Sequence, residues 1–308
     1  MPFIGAIALL FLAGAGCLNK KVETTTDSNP WDKANLAGIV NIAPVEIHKT
    51  QSASNGETCA IDLVYPSIEN SIFTEAANDF SEQVFTFLRH QLESEADLTS
   101  PDDVIAVVDE YLTTCVSRLE DSEDTAQNTD EGSPEDYLDQ YISSDFDITL
   151  NALHVLSVTL NAEGYTGGAH GYSTQTFVNV DLGGNRLITL GDILIDDQLK
   201  AFFQNEKARL LTASRDVIYP SSVEEFETFI ADQATMPAEE QYSVYGQFKN
   251  FYLTPTSIVT FYDSYEIAPY AAGPMTVEIP LIELADYIDP SEPFYPVFEQ
   301  ARDQANSN

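Results

Sequence analysis

The chain has 308 residues, 44% of them apolar and 11% aromatic, and carries 50 acidic against 13 basic residues, a formal net charge of −37. Apolar content of that order supplies a packed core and excludes disorder along the whole chain, and the length fits one large or two medium domains. The charge excludes nucleic acid and anionic lipid surfaces as partners, because their phosphates are repelled; it leaves attraction of cationic partners, or plain solubility, as its reading.

In chain order, residues 1–16 read as a signal peptide. Phe3 to Ala15 is an apolar run, too short to span a membrane but of the length of a signal h-region. It ends in Gly14-Ala15-Gly16-Cys17, which resembles a bacterial lipobox and makes Cys17 the expected lipidation site. Gly14 stands where such boxes usually carry Leu, and no Lys or Arg precedes the run. By the same resemblance, Leu18 after the cysteine favours the outer membrane in a Gram-negative host. Residues 17–44 are then the lipidated cysteine and its tether, rich in Lys, Thr, Ser, Asn and Pro without periodicity.

Folded structure is expected from Val45, with a strand there and another over Cys59–Tyr65, where Cys59, Ile61 and Leu63 share a face before Pro66 breaks the pattern. A helix opens at Asn70 or Ser71, with Phe73, Ala77, Phe80, Val84, Phe87 and Leu88 at helical spacing. A second helix opens at Ser100-Pro101-Asp102-Asp103, an N-cap serine followed by proline and acids in the first turn. Its apolar stripe includes Cys115, so Cys59 and Cys115 both point to a core. Export would place this even pair in an oxidising compartment, which predicts a disulfide; two buried free thiols are the alternative. Residues 120–135 read as a solvated acidic loop, since the acid spacing of a calcium loop is absent.

Strand signals follow, with Phe146, Ile148 and Leu150, then Leu156, Val158 and Leu160, then Thr176, Val178 and Val180, and a turn over Asp181–Asn185. Helical patterns occupy Asp196–Leu211 and Ser222–Ala231, and strands return at Phe248–Leu253, Ile258–Tyr262 and Met275–Ile279. A short helix after Pro280 and a fraying tail close the chain. Strands and helices in separate runs, with no internal repeat, predict an α+β fold with mainly antiparallel sheet packed with amphipathic helices.

Two segments hold the candidate binding residues. Gly164–Tyr172 contains Tyr165, His170 and Tyr172 among glycines that permit positive φ and close backbone approach. His170 reads either as a ligand or base, or as a hydrogen-bonded turn residue. Tyr265–Pro274 contains Tyr265, Glu266, Pro269 and Tyr270, a composition that suits either a binding loop or a buried corner between strands. The four histidines, His48, His90, His154 and His170, form no metal-binding spacing, and no nucleophile elbow occurs. No cofactor, metal or catalytic residue is expected.

Ser157, the run Tyr165-Thr166-Gly167-Gly168-Ala169-His170, Asn179-Val180-Asp181-Leu182 and Ile188-Thr189-Leu190-Gly191-Asp192 resemble the paired extracellular domains of the RsiV anti-sigma factors. Similar domains stand beside the catalytic domain of the peptidoglycan deacetylase PdaC. Phe251-Tyr252-Leu253-Thr254 and Tyr265–Gly273 resemble the second domain of that pair. The resemblance implies a first α+β domain over 45–187, a second over 188–290 and a tail over 291–308. In RsiV these domains recognise lysozyme, a strongly basic enzyme. Neither a sigma-binding region nor the deacetylase's metal-binding His-x-x-x-His is seen, so the resemblance implies the binding module alone.

The expectation is therefore a non-enzymatic, lipid-anchored envelope protein that binds lysozyme, another basic protein or cell-wall glycan, and touches the membrane only through its lipid. A structural or assembly factor of the envelope is the alternative, and a peptidoglycan hydrolase stands third.

Overall fold

A computed structural model describes residues 40–69, 72–126, 139–167, 170–193, 250–263, 269–284 and 295–305. Cys17 and its tether up to residue 39, the expected helices at 196–211 and 222–231, and Tyr265 and Glu266 lie outside the described residues.

Strand β1 (Asn41–Ser52) pairs antiparallel with β2 (Thr58–Glu69). Pro66 does not end β2. It sits opposite Pro44, and two prolines cannot exchange N–H bonds, so the pair must be a non-hydrogen-bonded one. On its other side β2 is paired only as far as Leu63, so the missing donor of Pro66 breaks no ladder.

Helices α1 (Thr74–Gln91) and α2 (Pro101–Ala126) then form the crossover that a parallel pairing requires, and β3 (Gln140–Ala152) returns parallel to β2. The first helix starts at Thr74, later than the sequence pattern suggests, and it buries Ala76 rather than Ala77 together with Phe80, Val84, Phe87 and Leu88. The second helix starts where its cap predicts: the Ser100 hydroxyl accepts from Asp103 N, and the Asp103 carboxylate accepts from Thr99 N and both neighbouring hydroxyls. It continues into the segment read as an acidic loop.

Strands β4 (Val155–Tyr165), β5 (Tyr172–Asp181) and the two-residue β6 (Arg186–Leu187) complete a six-stranded sheet in sequence order, antiparallel except between β2 and β3. One face packs on the helices. Ile61, Leu63, Ile142, Val158, Leu160, Val178 and Val180 meet Phe80, Val84, Leu88, Val108, Leu112 and Leu119 in one core. Cys59 and Cys115 are joined there as a disulfide tying β2 to α2.

A bulge after Ile148 changes which residues of β3 face this core. Phe146 and Ile148 are opposite Leu160 and Val158, whereas Leu150 is opposite Ser157. The three residues expected on one face are therefore divided between two, as an extra residue in one strand requires. Leu150, Ala152 and Val155 belong to a second core on the opposite face.

That second core also contains residues of α3 (Leu190–Ile193), the antiparallel sheet β7 (Phe251–Leu253), β8 (Ser257–Tyr262) and β9 (Met275–Pro280), the 3-10 turn Leu281–Leu284 and α4 (Tyr295–Ala305). Residues before and after the expected 187/188 boundary thus share one apolar cluster. The six residues of β4 from Val155 to Leu160 are all buried because helices cover one face and the smaller sheet the other.

Candidate functional site

The polar residues of the first motif set stitch the two sheets together. Ser157, fully buried, donates to Asn179 Oδ1 at 2.6 Å and accepts from Leu253 N at 3.0 Å and Thr149 Oγ1 at 2.9 Å. Asn179 Nδ2 donates to Phe251 O at 2.8 Å. Backbone groups of β7 that would otherwise be buried without partners are satisfied by these two side chains. The bonds of Ser157 run to hydroxyl and amide groups, which give it no base and assign it a positioning role. Asp181 accepts from Gly184 N and closes the β5–β6 turn, while Asp192 accepts from Thr189 N and Oγ1 and binds Arg186.

The hairpin that carries Tyr165 and Tyr172 is built on glycines. A Cβ at Gly164 would lie 2.7 Å from Tyr141 O and 2.8 Å from Tyr172 Oη, and one at Gly171 would lie 2.7 Å from Gly164 O. His170 is exposed in the turn, and its Nδ1–H donates to Gly171 O at 2.9 Å. Tyr172 shares the helix-side face of β5 with Val178 and Val180. Burial pushes its phenol up to about 12, with Tyr111, Glu93 and Tyr141 adding to the shift. Tyr165, directly opposite Tyr141, lies on the other face.

Of the second segment, Pro269 is exposed and Tyr270–Ala272 form a 3-10 turn closed by Ala272 N donating to Pro269 O at 2.8 Å. Gly273 follows at φ +69°. Strand β8, which leads into the segment, ends beside the hairpin: Thr174 Oγ1 donates to Asp263 Oδ2 at 3.4 Å. Both candidate segments are therefore approached from the same end of the molecule.

Beside them lies a surface that sequence reading did not single out. Among the described residues, nothing covers the sheet face opposite the helices over β1 to β5 where the smaller sheet does not reach. Register places His48, Asp62, Ser143, Glu163 and Ser173 in one cross-strand row. Asp145, Asn161 and Gln175 form the next, and Asp147 leads the one after, towards Thr159 and Phe177. Asp62, Asp145, Asp147 and Glu163 are exposed, as is Tyr141. An amide chain holds the floor in place: Gln175 Nε2 donates to Asn161 Oδ1 at 2.8 Å, and Asn161 Nδ2 to Asp145 Oδ1 at 2.7 Å. His48 Nδ1 contacts Asp62 Oδ1 at 2.6 Å.

The smaller sheet forms a wall to this floor. Tyr252 stacks on Phe177 with ring centroids 5.4 Å apart, and Phe261 packs on the same ring at 5.2 Å. Burial raises the Tyr252 pKa, and the carboxylates of Glu278, from the wall, and Asp147, from the floor, raise it further. Floor and wall therefore turn acidic side chains towards one corner. The alternation hydrophobic-in, polar-out of strands β2 to β4 was the available sequence signal for the floor. It became legible only once register placed these acids in adjacent rows.

The described Lys and Arg residues lie elsewhere. Lys49 binds Asp109 of α2 at 2.5 Å, Arg186 binds Asp192 and Asp181, Arg302 lies near Glu299 and Asp303, and Arg118 lies over the Tyr111 ring. Arg89 is in the last turn of α1. Among the described residues, no group of three or more potential metal ligands occurs.

Comparison with known proteins divides the chain in two. Residues 52–173 match the family described as Deacetylase PdaC, and residues 192–281 match DUF3298, a family of unknown function. These are the paired domains that the motifs resemble. A DUF3298-family crystal structure from Bacteroides fragilis is similar in fold, at 21% identity and a TM-score of 0.62, over 85% of this chain and 98% of that one. One from Pseudomonas aeruginosa aligns at 19% identity and a TM-score of 0.48, over 82% and 95%. No curated protein matches the chain.

Proposed function

We propose that this paired PdaC-type and DUF3298-type chain is a lipid-anchored module of the cell envelope that binds a cationic partner, a basic lysozyme being the first to test. The observation that carries the reading is the carboxylate surplus on an open face. Fifty acids face thirteen bases in the sequence, and the described bases are held at other sites while Asp62, Asp145, Asp147 and Glu163 stand exposed on one sheet. Such a field accelerates encounter with a basic protein and rejects anionic ones. The segments around Tyr165, His170 and Tyr172, and around Tyr265, Glu266, Pro269 and Tyr270, would add specific contacts. Lipidation at Cys17 and a non-catalytic role belong to the same proposal, and cell-wall glycan is the alternative ligand.

Calorimetric titration of residues 22–308 with a basic lysozyme, at low and at physiological salt, tests it. Saturable binding that persists at physiological salt and weakens on Tyr270→Ala is expected. Absence of binding at both salts removes the cationic-partner reading and favours a structural role in the envelope.

A further inference from the structure

The smaller sheet covers one end of the large sheet's outer face, α1 and α2 pack on its inner face, and among the described residues strands β2 to β4 are left open beside Tyr252. We infer that this open floor is the docking surface, and that its occupant is a Lys/Arg-rich surface of a folded protein. The inference rests on the binding-module reading above and assigns it a place.

The argument is charge complementarity on a rigid frame. Asp62, Asp145, Asp147 and Glu163 come from three adjacent strands, spaced by about 4.8 Å, so their positions are set by the backbone ladder rather than by loop conformation. Asn161 and Gln175 orient the middle of the floor through hydrogen bonds. Among the described residues, none of the Lys or Arg side chains sits on it. A second copy of this chain is a poor occupant because it would set one acidic floor against another. A neutral glycan would donate hydroxyl hydrogen bonds to the carboxylates but would gain nothing from their net charge.

Screening supplies the discriminating test. At physiological ionic strength charges act over about 8 Å, so acids that touch the partner still count, while acids on the far side of the sheet behind a helix layer do not. Two full-chain variants with the same change in net charge are compared by calorimetry against a basic lysozyme at physiological salt. One carries Asp62→Asn, Asp145→Asn, Asp147→Asn and Glu163→Gln. The other carries Glu82→Gln, Glu95→Gln, Asp97→Asn and Glu110→Gln, exposed acids of the helices and their connection. Thermal melts check both folds, and Glu163→Gln alone serves as a milder floor variant.

The expected result is an affinity loss of about tenfold or more for the floor variant and less than about twofold for the helix variant. Equal losses, or none in either, overturn the floor assignment while leaving the binding reading in place. Failure of the unmodified chain to bind overturns both.

Discussion

At the scale of single residues, Ser157 and Asn179 show why a motif can be specific without marking a reaction. Each is buried, and each satisfies a backbone group of β7 that bonds no other strand among the described residues. Replacing Ser157 by Ala leaves Leu253 N and Asn179 Oδ1 without their partner, a loss of about 1–3 kcal/mol for a buried donor left unmade. Urea denaturation should show that loss, and hydrogen exchange should show the Leu253 amide deprotected ahead of β4. Tyr65 and Tyr172 give a second residue-scale expectation. Burial raises both phenols to about 12 from an ordinary value of 10.0. A folded pKa above the unfolded one means the stabilisation is complete below pH 10 and is lost as pH rises towards 12. Alkaline titration followed by tyrosinate absorbance and circular dichroism should show these phenols ionising together with unfolding in that window.

Among the elements, the disulfide and the crossover belong together. The bond joins Cys59 on β2 to Cys115 on α2 across 56 residues, a stretch that includes all of α1 and the first half of α2. Closing a loop of that length restricts the unfolded chain by about 4 kcal/mol in the chain-entropy model. The double variant Cys59→Ala with Cys115→Ala should therefore lower the denaturation free energy by about 2–5 kcal/mol. A midpoint unchanged by reduction would show that helix packing alone fixes the crossover. The bulge in β3 acts on a different property, direction. It turns Leu150 and Ala152 to the second core while Phe146 keeps to the first, and so lets one strand serve two layers.

For the molecule as a whole, charge dominates. A net charge of −37 destabilises the compact state by self-repulsion, and salt relieves it. The thermal midpoint should rise as sodium chloride is raised from low to physiological concentration and beyond. A midpoint that falls with salt would mean that attractive ion pairs outweigh repulsion. The same salt series would separate stability from the proposed recognition, because screening relieves self-repulsion but would weaken capture of a basic partner.

The sequence by itself determined what depends on local periodicity, on composition and on short motifs. The apolar spacing of Phe80, Val84, Phe87 and Leu88 specified the buried side of α1, and Ser100 with Pro101 specified the start of α2. Cys59 and Cys115 could be paired because each lay on an apolar face. Only the tertiary structure decided the parallel step between β2 and β3, the change of face at Ile148, the helix-side placement of Tyr172 and the gathering of Asp62, Asp145, Asp147 and Glu163 on one floor. The reason is physical: period and capping are properties of neighbours in the chain. Register, crossover and the sharing of a face arise between strands far apart in sequence, and a displacement of one residue would send every side chain to the other side.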